Sequence, residues 1–205
     1  MTTTPKIYVA SLSDYNAGRL HGKWIDATQD IDDVWAEIKT MLAASPEFRV
    51  FPQGGPAEEW AIHDYEGFGD YSLHEYESID KVVMLAQAME EAGEAVAAFV
   101  SNDSTPLDEA NGAEDLLYSF REAYVGTYNS ERDFAEQLVE DIGLPGIGQN
   151  KINLGRGWDG REHEVDLLDE LSSYLDWGAL TRWALEDHWT WTDSDYSVHV
   201  FRDYH

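Results

Sequence analysis

The sequence predicts an α+β fold made of two or three small modules in succession, and three observations carry that prediction. Short runs rich in β-branched and aromatic residues lie toward both ends of the chain, while the segments between them carry apolar residues at helical spacing. Breaks containing glycine and proline fall near residues 54–56, 101–112 and 143–160. The 205 residues are 43% hydrophobic and include 8 Trp and 11 Tyr, enough apolar surface for real cores in spite of a heavy charge.

Residues 7–12 (I-Y-V-A-S-L) read as a strand. Residues 14–18 are turn chemistry, with Asn16 and Gly18 suited to positive φ. Residues 21–27 return as a second strand. An amphipathic helix follows over residues 31–42, where Ile31, Val34, Trp35, Ile38, Met41 and Leu42 keep one face. Asp30 and Asp33 form a capping arrangement, and the early acids suit the helix dipole. Gly54, Gly55 and Pro56 mark a loop, and residues 60–65 make a third strand, so the first third is a ββαβ unit.

The middle reads as a helix over residues 82–100 with Ser78 as its N-cap. A loop spans residues 101–112, and another helix spans 113–124. Ser130 and Asp133 resemble a capping box for a helix that ends near Ile142, where Gly143 and Pro145 stop it. Residues 146–160 read as loop. Residues 166–185 read as helix, with Leu167, Leu168, Leu171, Leu175 and Leu180 as core contacts. The alternation over residues 189–201 closes the chain with a hairpin. The expected domains are 1–66 (ββαβ), 67–112 (acidic and mainly helical) and 113–205 (α+β, the expected pairing domain).

Charge dominates the composition: 41 Asp and Glu face 13 Lys and Arg, a formal net of −28. Self-repulsion of this size opposes compaction. Salt adaptation, a basic partner, or cation binding by clustered carboxylates would each account for it. Its distribution favours the basic partner. Between residues 50 and 120 Lys81 is the single base, against sixteen acids, the first two being Glu58 and Glu59. The other fourteen are the candidate surface: Asp64, Glu66, Asp70, Glu75, Glu77, Asp80, Glu90, Glu91, Glu94, Asp103, Asp108, Glu109, Glu114 and Asp115. Duplex DNA carries one charge per ~1.7 Å of axis, so 28 net charges match the phosphates of roughly 14 base pairs.

Other chemistries are poorly supplied. With no cysteine there is no disulfide, thiolate metal site or cysteine nucleophile. His63 and Asp64 adjoin in a strand and so point to opposite faces. His63, Asp64, Glu66, His74 and Glu75 lack the ligand spacing of a metal site. The glycines at 146, 148, 155 and 157 have no Lys-Ser or Lys-Thr pair with which to cradle a phosphate. Direct nucleic-acid binding would need a basic stripe, and this chain has the opposite sign. The start is short and polar and no apolar run approaches a membrane span, so the expectation is a soluble cytoplasmic protein that is not an enzyme and carries no cofactor or metal.

Three segments resemble the antirestriction family ArdA. The first is I-Y-V-A-S-L followed by Tyr15, Asn16, Gly18, Leu20, Gly22 and Trp24. The second is W-A-I-H-D-Y-E at residues 60–66, followed by Glu75, Tyr76, Ser78 and Ile79. The third is Leu171, Tyr174, Asp176, Trp177, Ala179 and Arg182, which resembles the family's antirestriction motif with Trp177 where Tyr is expected. The resemblance implies an elongated protein of three small domains that pairs through the C-terminal one into a homodimer. It further implies carboxylates that imitate DNA phosphates and occupy the DNA-binding groove in the methyltransferase core of type I restriction-modification enzymes. The alternative is an acidic adaptor or chaperone for another basic DNA-binding protein. The loop at residues 52–56 and the segment 146–161 read as insertions relative to compact family members, and Arg156 and Arg161 place positive charge in the second.

Overall fold

The computed structural model describes residues 3–50, 53, 55, 57–157, 159, 161–193 and 195–203; the turn signals at Gly54 and Pro56, with Pro52 and Gly160, lie outside them. The architecture is mixed α and β with small antiparallel sheets, as the sequence predicts. It divides into two compact units, Met1–Glu122 and Ala123–His205.

In the first unit, β1 (Lys6–Ser11) is the centre of a three-stranded sheet, flanked by β2 (Gly22–Asp26) and β3 (Trp60–Glu66). Both pairings are antiparallel, and a bulge between Tyr8 and Val9 shifts the register against β3. Alternation decides the buried face: Ile7, Val9 and Ile25 are 0% exposed, and α2 (Ile31–Ala43) covers β1 and β2 with Val34, Ile38, Met41 and Leu42. Asp30 at the head of α2 makes no side-chain cap, so that part of the expected capping is absent.

The expected turn at residues 14–18 is instead a helical turn, α1 (Leu12–Asn16). Ser11 Oγ accepts from the Asp14 amide, and Asp14, itself fully buried, accepts from the Glu47 amide at 2.8 Å at the start of α3 (Pro46–Val50). That partner, 33 residues away, holds the segment helical. Gly18 has the expected positive φ, whereas among the described residues the one non-glycine with positive φ is Tyr196, not Asn16.

The single helix expected over residues 82–100 is two helices, α4 (Ile79–Ala92) and α5 (Ala95–Asn102). They are broken at Gly93, whose φ of 84° leaves the helical region. The Ser78 hydroxyl donates to Asp80 at 3.3 Å and does not cap the backbone. Residues Ala95 to Val100 are all buried, because α5 is apolar on every side. The expected loop at 101–112 contains a short helix, α6 (Thr105–Glu109), pinned by Leu107. Helix α7 (Ala113–Ala123) buries Leu116, Leu117 and Phe120, and its Phe120 ring meets Phe99 edge-on at 5.9 Å.

The second unit has a three-stranded antiparallel sheet in the order β4-β8-β7, from β4 (Tyr124–Tyr128), β7 (His188–Thr192) and β8 (Val198–Arg202). The last two form the expected closing hairpin; β4 falls where the sequence signalled no strand. Helix α8 (Glu131–Ile142) is capped as predicted, Ser130 Oγ accepting from the Asp133 amide at 3.1 Å. It ends at Gly143 with φ 90°. Phe134, Ala135, Ala184, Val198 and Val200 form the core between this sheet and the helices.

Two expectations are corrected in this unit. The supposed loop at 146–160 contains β5 (Lys151–Arg156), paired with β6 (Glu162–Asp166) as a two-stranded ribbon. The supposed helix at 166–185 is α9 (Leu167–Leu171), a 3₁₀ turn at Ser172–Tyr174, and α10 (Trp177–Ala184). The break comes where Asp176 turns its carboxylate onto the Ala179 amide (3.0 Å) and starts a new helix. Leu168 is buried in a cluster with Val139 and Leu144, against which Leu175 and Leu180 pack, but Leu171, expected in the core, is 39% exposed.

Candidate functional site

The fourteen candidate acids all lie in the first unit. Asp64 and Glu66 stand on β3; Asp70, Glu75 and Glu77 are on the connection to α4; Asp80, Glu90 and Glu91 occupy the two ends of α4. Glu94 heads α5 and Asp103 follows it; Asp108 and Glu109 are in α6, and Glu114 and Asp115 in the first turn of α7. All are exposed except Glu77, which is half-buried. The reason is local: α4 buries eight residues from Ile79 to Met89, so only its ends are free to carry charge.

Few of these charges are cancelled. Lys81, the lone base of the stretch, donates to Asp108, and Arg121 pairs with Glu91. Lys6 lies 3.4 Å from Glu66, and His63 lies 4.0 Å from Glu75. Residues 1–122 hold 24 acids against 7 bases, a formal net of −17. The Lys81 ammonium, aided by the Ser104 hydroxyl, holds the Asp108 carboxyl below the usual carboxylate range. The Thr105 amide and hydroxyl do the same for Asp103, and the Asn111 side chain and amide for Asp115. Conversely, the Tyr76 hydroxyl is pushed up, chiefly by the charge of Glu75.

Glu90 and Glu91 are placed against the interest of the fold. They sit in the last turn of α4, which has no base, facing the negative end of the helix dipole. Each such acid costs about 0.3–1 kcal/mol.

The third group of candidate residues lies in the second unit. Tyr174 is 85% exposed and Leu171 39% exposed. Asp176 is the N-cap of α10, and Arg182 is an exposed base in its last turn, where it suits the dipole. Ala179 is exposed. Trp177 is half-buried: its indole N–H donates to the Ser172 carbonyl at 3.0 Å, and the Arg132 guanidinium lies 5.1 Å from its ring centre. Asp176, Trp177 and Arg182 therefore stabilise α10, while Leu171 and Tyr174 present apolar surface to solvent.

Catalytic groupings do not assemble at the residues considered. His63 meets Tyr15 edge-on at 4.8 Å and lies 4.0 Å from Glu75, in a pair exposed to solvent on the Glu75 side. No group of three His, Asp or Glu among the described residues is placed to hold a metal ion. Sequence reasoning missed one buried polar series in the second unit. His199, 5% exposed, lies 3.2 Å from Asp193 Oδ2 and, through Nδ1, 2.8 Å from Thr127 Oγ1, which in turn lies 2.6 Å from the Tyr124 hydroxyl. Asp193 Oδ1 also accepts from the amides of Asp195 and Ser197, both at 2.9 Å, so the series braces the β7–β8 turn. The cations that neutralise Asp108 and Glu91 come from 27 and 30 residues away, and no sequence signal pairs them.

The family model for the antirestriction protein ArdA matches residues 7–198. The chain belongs to the ArdA antirestriction family. No individually curated protein matches it. ArdA is an antirestriction family, and the match covers both units. The three resembling segments fall on β1–β2, on β3 and the start of α4, and on α9–α10. No helix among the described residues is long and apolar enough to cross a membrane.

Proposed function

We propose that this chain is a DNA mimic that occupies the DNA-binding groove in the methyltransferase core of a type I restriction-modification enzyme and so blocks restriction. One observation carries the reading: fourteen acids between Asp64 and Asp115 with a single base among them, and thirteen of the fourteen exposed. DNA-binding grooves are lined with Lys and Arg and gain affinity by releasing the counterions of a polyanion. Exposed carboxylates on folded helices offer such a groove the same field, attracting it at long range. Base edges need not be imitated, because phosphate contacts supply much of the affinity. Asp103 and Asp115, held below the usual carboxylate range by hydrogen bonds from Thr105 and Asn111, stay ionised to lower pH than ordinary surface carboxylates.

The same reading makes the protein a homodimer paired through its second unit, working in the cytoplasm, where the enzyme it inhibits meets incoming DNA. The deciding experiment is competition between the purified protein and labelled duplex DNA for a type I methyltransferase core at several salt concentrations. Near-stoichiometric displacement that weakens steeply with salt is expected. A folded protein that displaces nothing at low salt removes this target, and capture of a different basic DNA-binding protein would then favour the adaptor reading.

A further inference from the structure

We infer that the outer face of the first unit's sheet receives arginine side chains of the basic partner, with Trp24 and Tyr8 stacking on the guanidinium. The inference rests on the mimic reading above and deepens it. It names arginine rather than lysine as the group recognised, and aromatic rings as what tells the two apart.

The register defines the face. Ile7, Val9 and Ile25 point to the core under α2, and strand neighbours alternate, so Tyr8 points the other way. Directly opposed residues share a face: Trp24 on β2 and Asp64 on β3 flank Tyr8, and Asp26 and Glu66 flank Lys6 in the next row. The Tyr8 and Trp24 rings lie 5.6 Å apart, inclined at 54°. Gly22 makes room for them. A Cβ there would lie 2.7 Å from Tyr8 Cζ, so the Tyr8 ring reaches across Gly22 towards β2. Trp24, Asp26, Asp64 and Glu66 are exposed, and Lys6 and Tyr8 are half-buried.

Charge complementarity selects the occupant. The rings are bordered by three carboxylates against one ammonium, that of Lys6, which lies 3.4 Å from Glu66. The nearby Lys23 pairs with Glu37 of α2, so Asp26 and Asp64 keep their charge for a cation from outside. Hydrogen bonds hold both in place: Asp26 accepts from the Thr28 amide and hydroxyl at 2.9 and 2.8 Å, and Asp64 from the Tyr65 amide at 2.8 Å. An apolar partner would have to desolvate those carboxylates, and the phosphates of a nucleic acid would be repelled by them. A guanidinium satisfies both parts of the face. Its plane stacks on an aromatic ring while its edge donates to a carboxylate, whereas a compact, strongly hydrated ammonium stacks poorly. Grooves that bind phosphate are rich in arginine for the same bidentate donation. The stacking contact carries no charge of this chain, so removing the ring should leave the salt dependence of binding as it was.

The test has two parts, both on the full chain. In the first, the indole N–H signal of Trp24, assigned by its loss in Trp24→Phe, is followed by NMR during titration with hexa-arginine and with hexa-lysine. The signal should move with hexa-arginine and far less with hexa-lysine, although the peptides carry equal charge. In the second, Trp24→Leu, which keeps an apolar side chain and the net charge, enters the competition with duplex DNA for the methyltransferase core. It should displace DNA about tenfold less well than wild type, with the same salt dependence and an unchanged circular dichroism spectrum. Trp24→Phe should fall between the two, and Tyr118→Leu, at an aromatic 67% exposed on α7, should match wild type. An indole signal that stays still while other signals shift, or that moves equally with both peptides, overturns the inference. So does a folded Trp24→Leu that displaces DNA as well as wild type. A wild type that displaces no DNA, yet whose Trp24 answers to hexa-arginine and not to hexa-lysine, keeps the arginine surface and removes the proposed target.

Discussion

Replacing Glu90, Glu91 and Glu94 together by glutamine separates what these acids do for the fold from what they do for a partner. Glu90 and Glu91 lie in the last turn of α4, which contains no base of its own, and Glu94 heads α5 two residues after α4 ends. Removing the charge of Glu90 relieves an unfavourable dipole contact worth about 0.3–1 kcal/mol. Glu91 recovers part of its cost through Arg121, but both side chains of that pair are more than half exposed (57% and 56%), and such pairs contribute about 0–1 kcal/mol. Glu94 faces the positive end of α5, so its loss costs a little. The triple variant should therefore fold with a stability within about 0.5 kcal/mol of wild type, and Glu90→Gln alone should be slightly more stable. Binding should move the other way. A few tenths of a kcal/mol per exposed carboxylate sums to roughly 1 kcal/mol, or about fivefold weaker displacement of DNA at moderate salt, with a shallower salt dependence. Urea unfolding and the competition assay measure the two halves independently. Unchanged displacement and salt dependence in the triple variant would exclude these acids from the surface. Abolition of inhibition by Glu90→Gln alone would refute the distributed-field argument and point to one specific contact.

Two further outcomes follow from the same geometry. Asp176→Ala removes the cap from α10 and should lower stability by about 0.5–2 kcal/mol in thermal unfolding, while Asp176→Asn, which can still accept from the Ala179 amide, should restore most of it. Asp108 has a folded-state pKa depressed mainly by Lys81, so its stabilising contribution is present above the ordinary carboxylate range and lost as pH falls through the depressed value. In Lys81→Met the Asp108 carboxyl should titrate at higher pH by NMR and that part of the acid destabilisation should shrink; an unmoved titration would show that Lys81 is not its partner in solution.

Much of the fold was legible because local patterns act through short distances. The strands at 7–12, 21–27 and 60–65, the helix at 31–42 and the Ser130 cap all follow from alternation, helical spacing and a hydroxyl three residues from its amide. Where reading failed, a distant partner or a single dihedral intervened. Asp14 folded a turn into α1 by reaching Glu47, and Gly93 cut one apolar run into two helices. The ribbon strand Lys151–Arg156 looked like loop because its glycine marks a bulge in a pairing that only β6 completes.

The function-bearing surface divides in the same way. Composition alone determined that the chain would carry a large negative field, since no arrangement of 41 acids and 13 bases can hide it from water. It also determined that the acids beside the apolar faces of α4 and α5 would lie outside, because ionised carboxylates are too costly to bury there, whereas Asp14 is buried against the Glu47 amide. Only the tertiary structure decided which of them are neutralised. Lys81 reaches Asp108 and Arg121 reaches Glu91 because α4 lies near α6 and α7, and ion pairing depends on distance through space, which the order of residues along the chain does not encode.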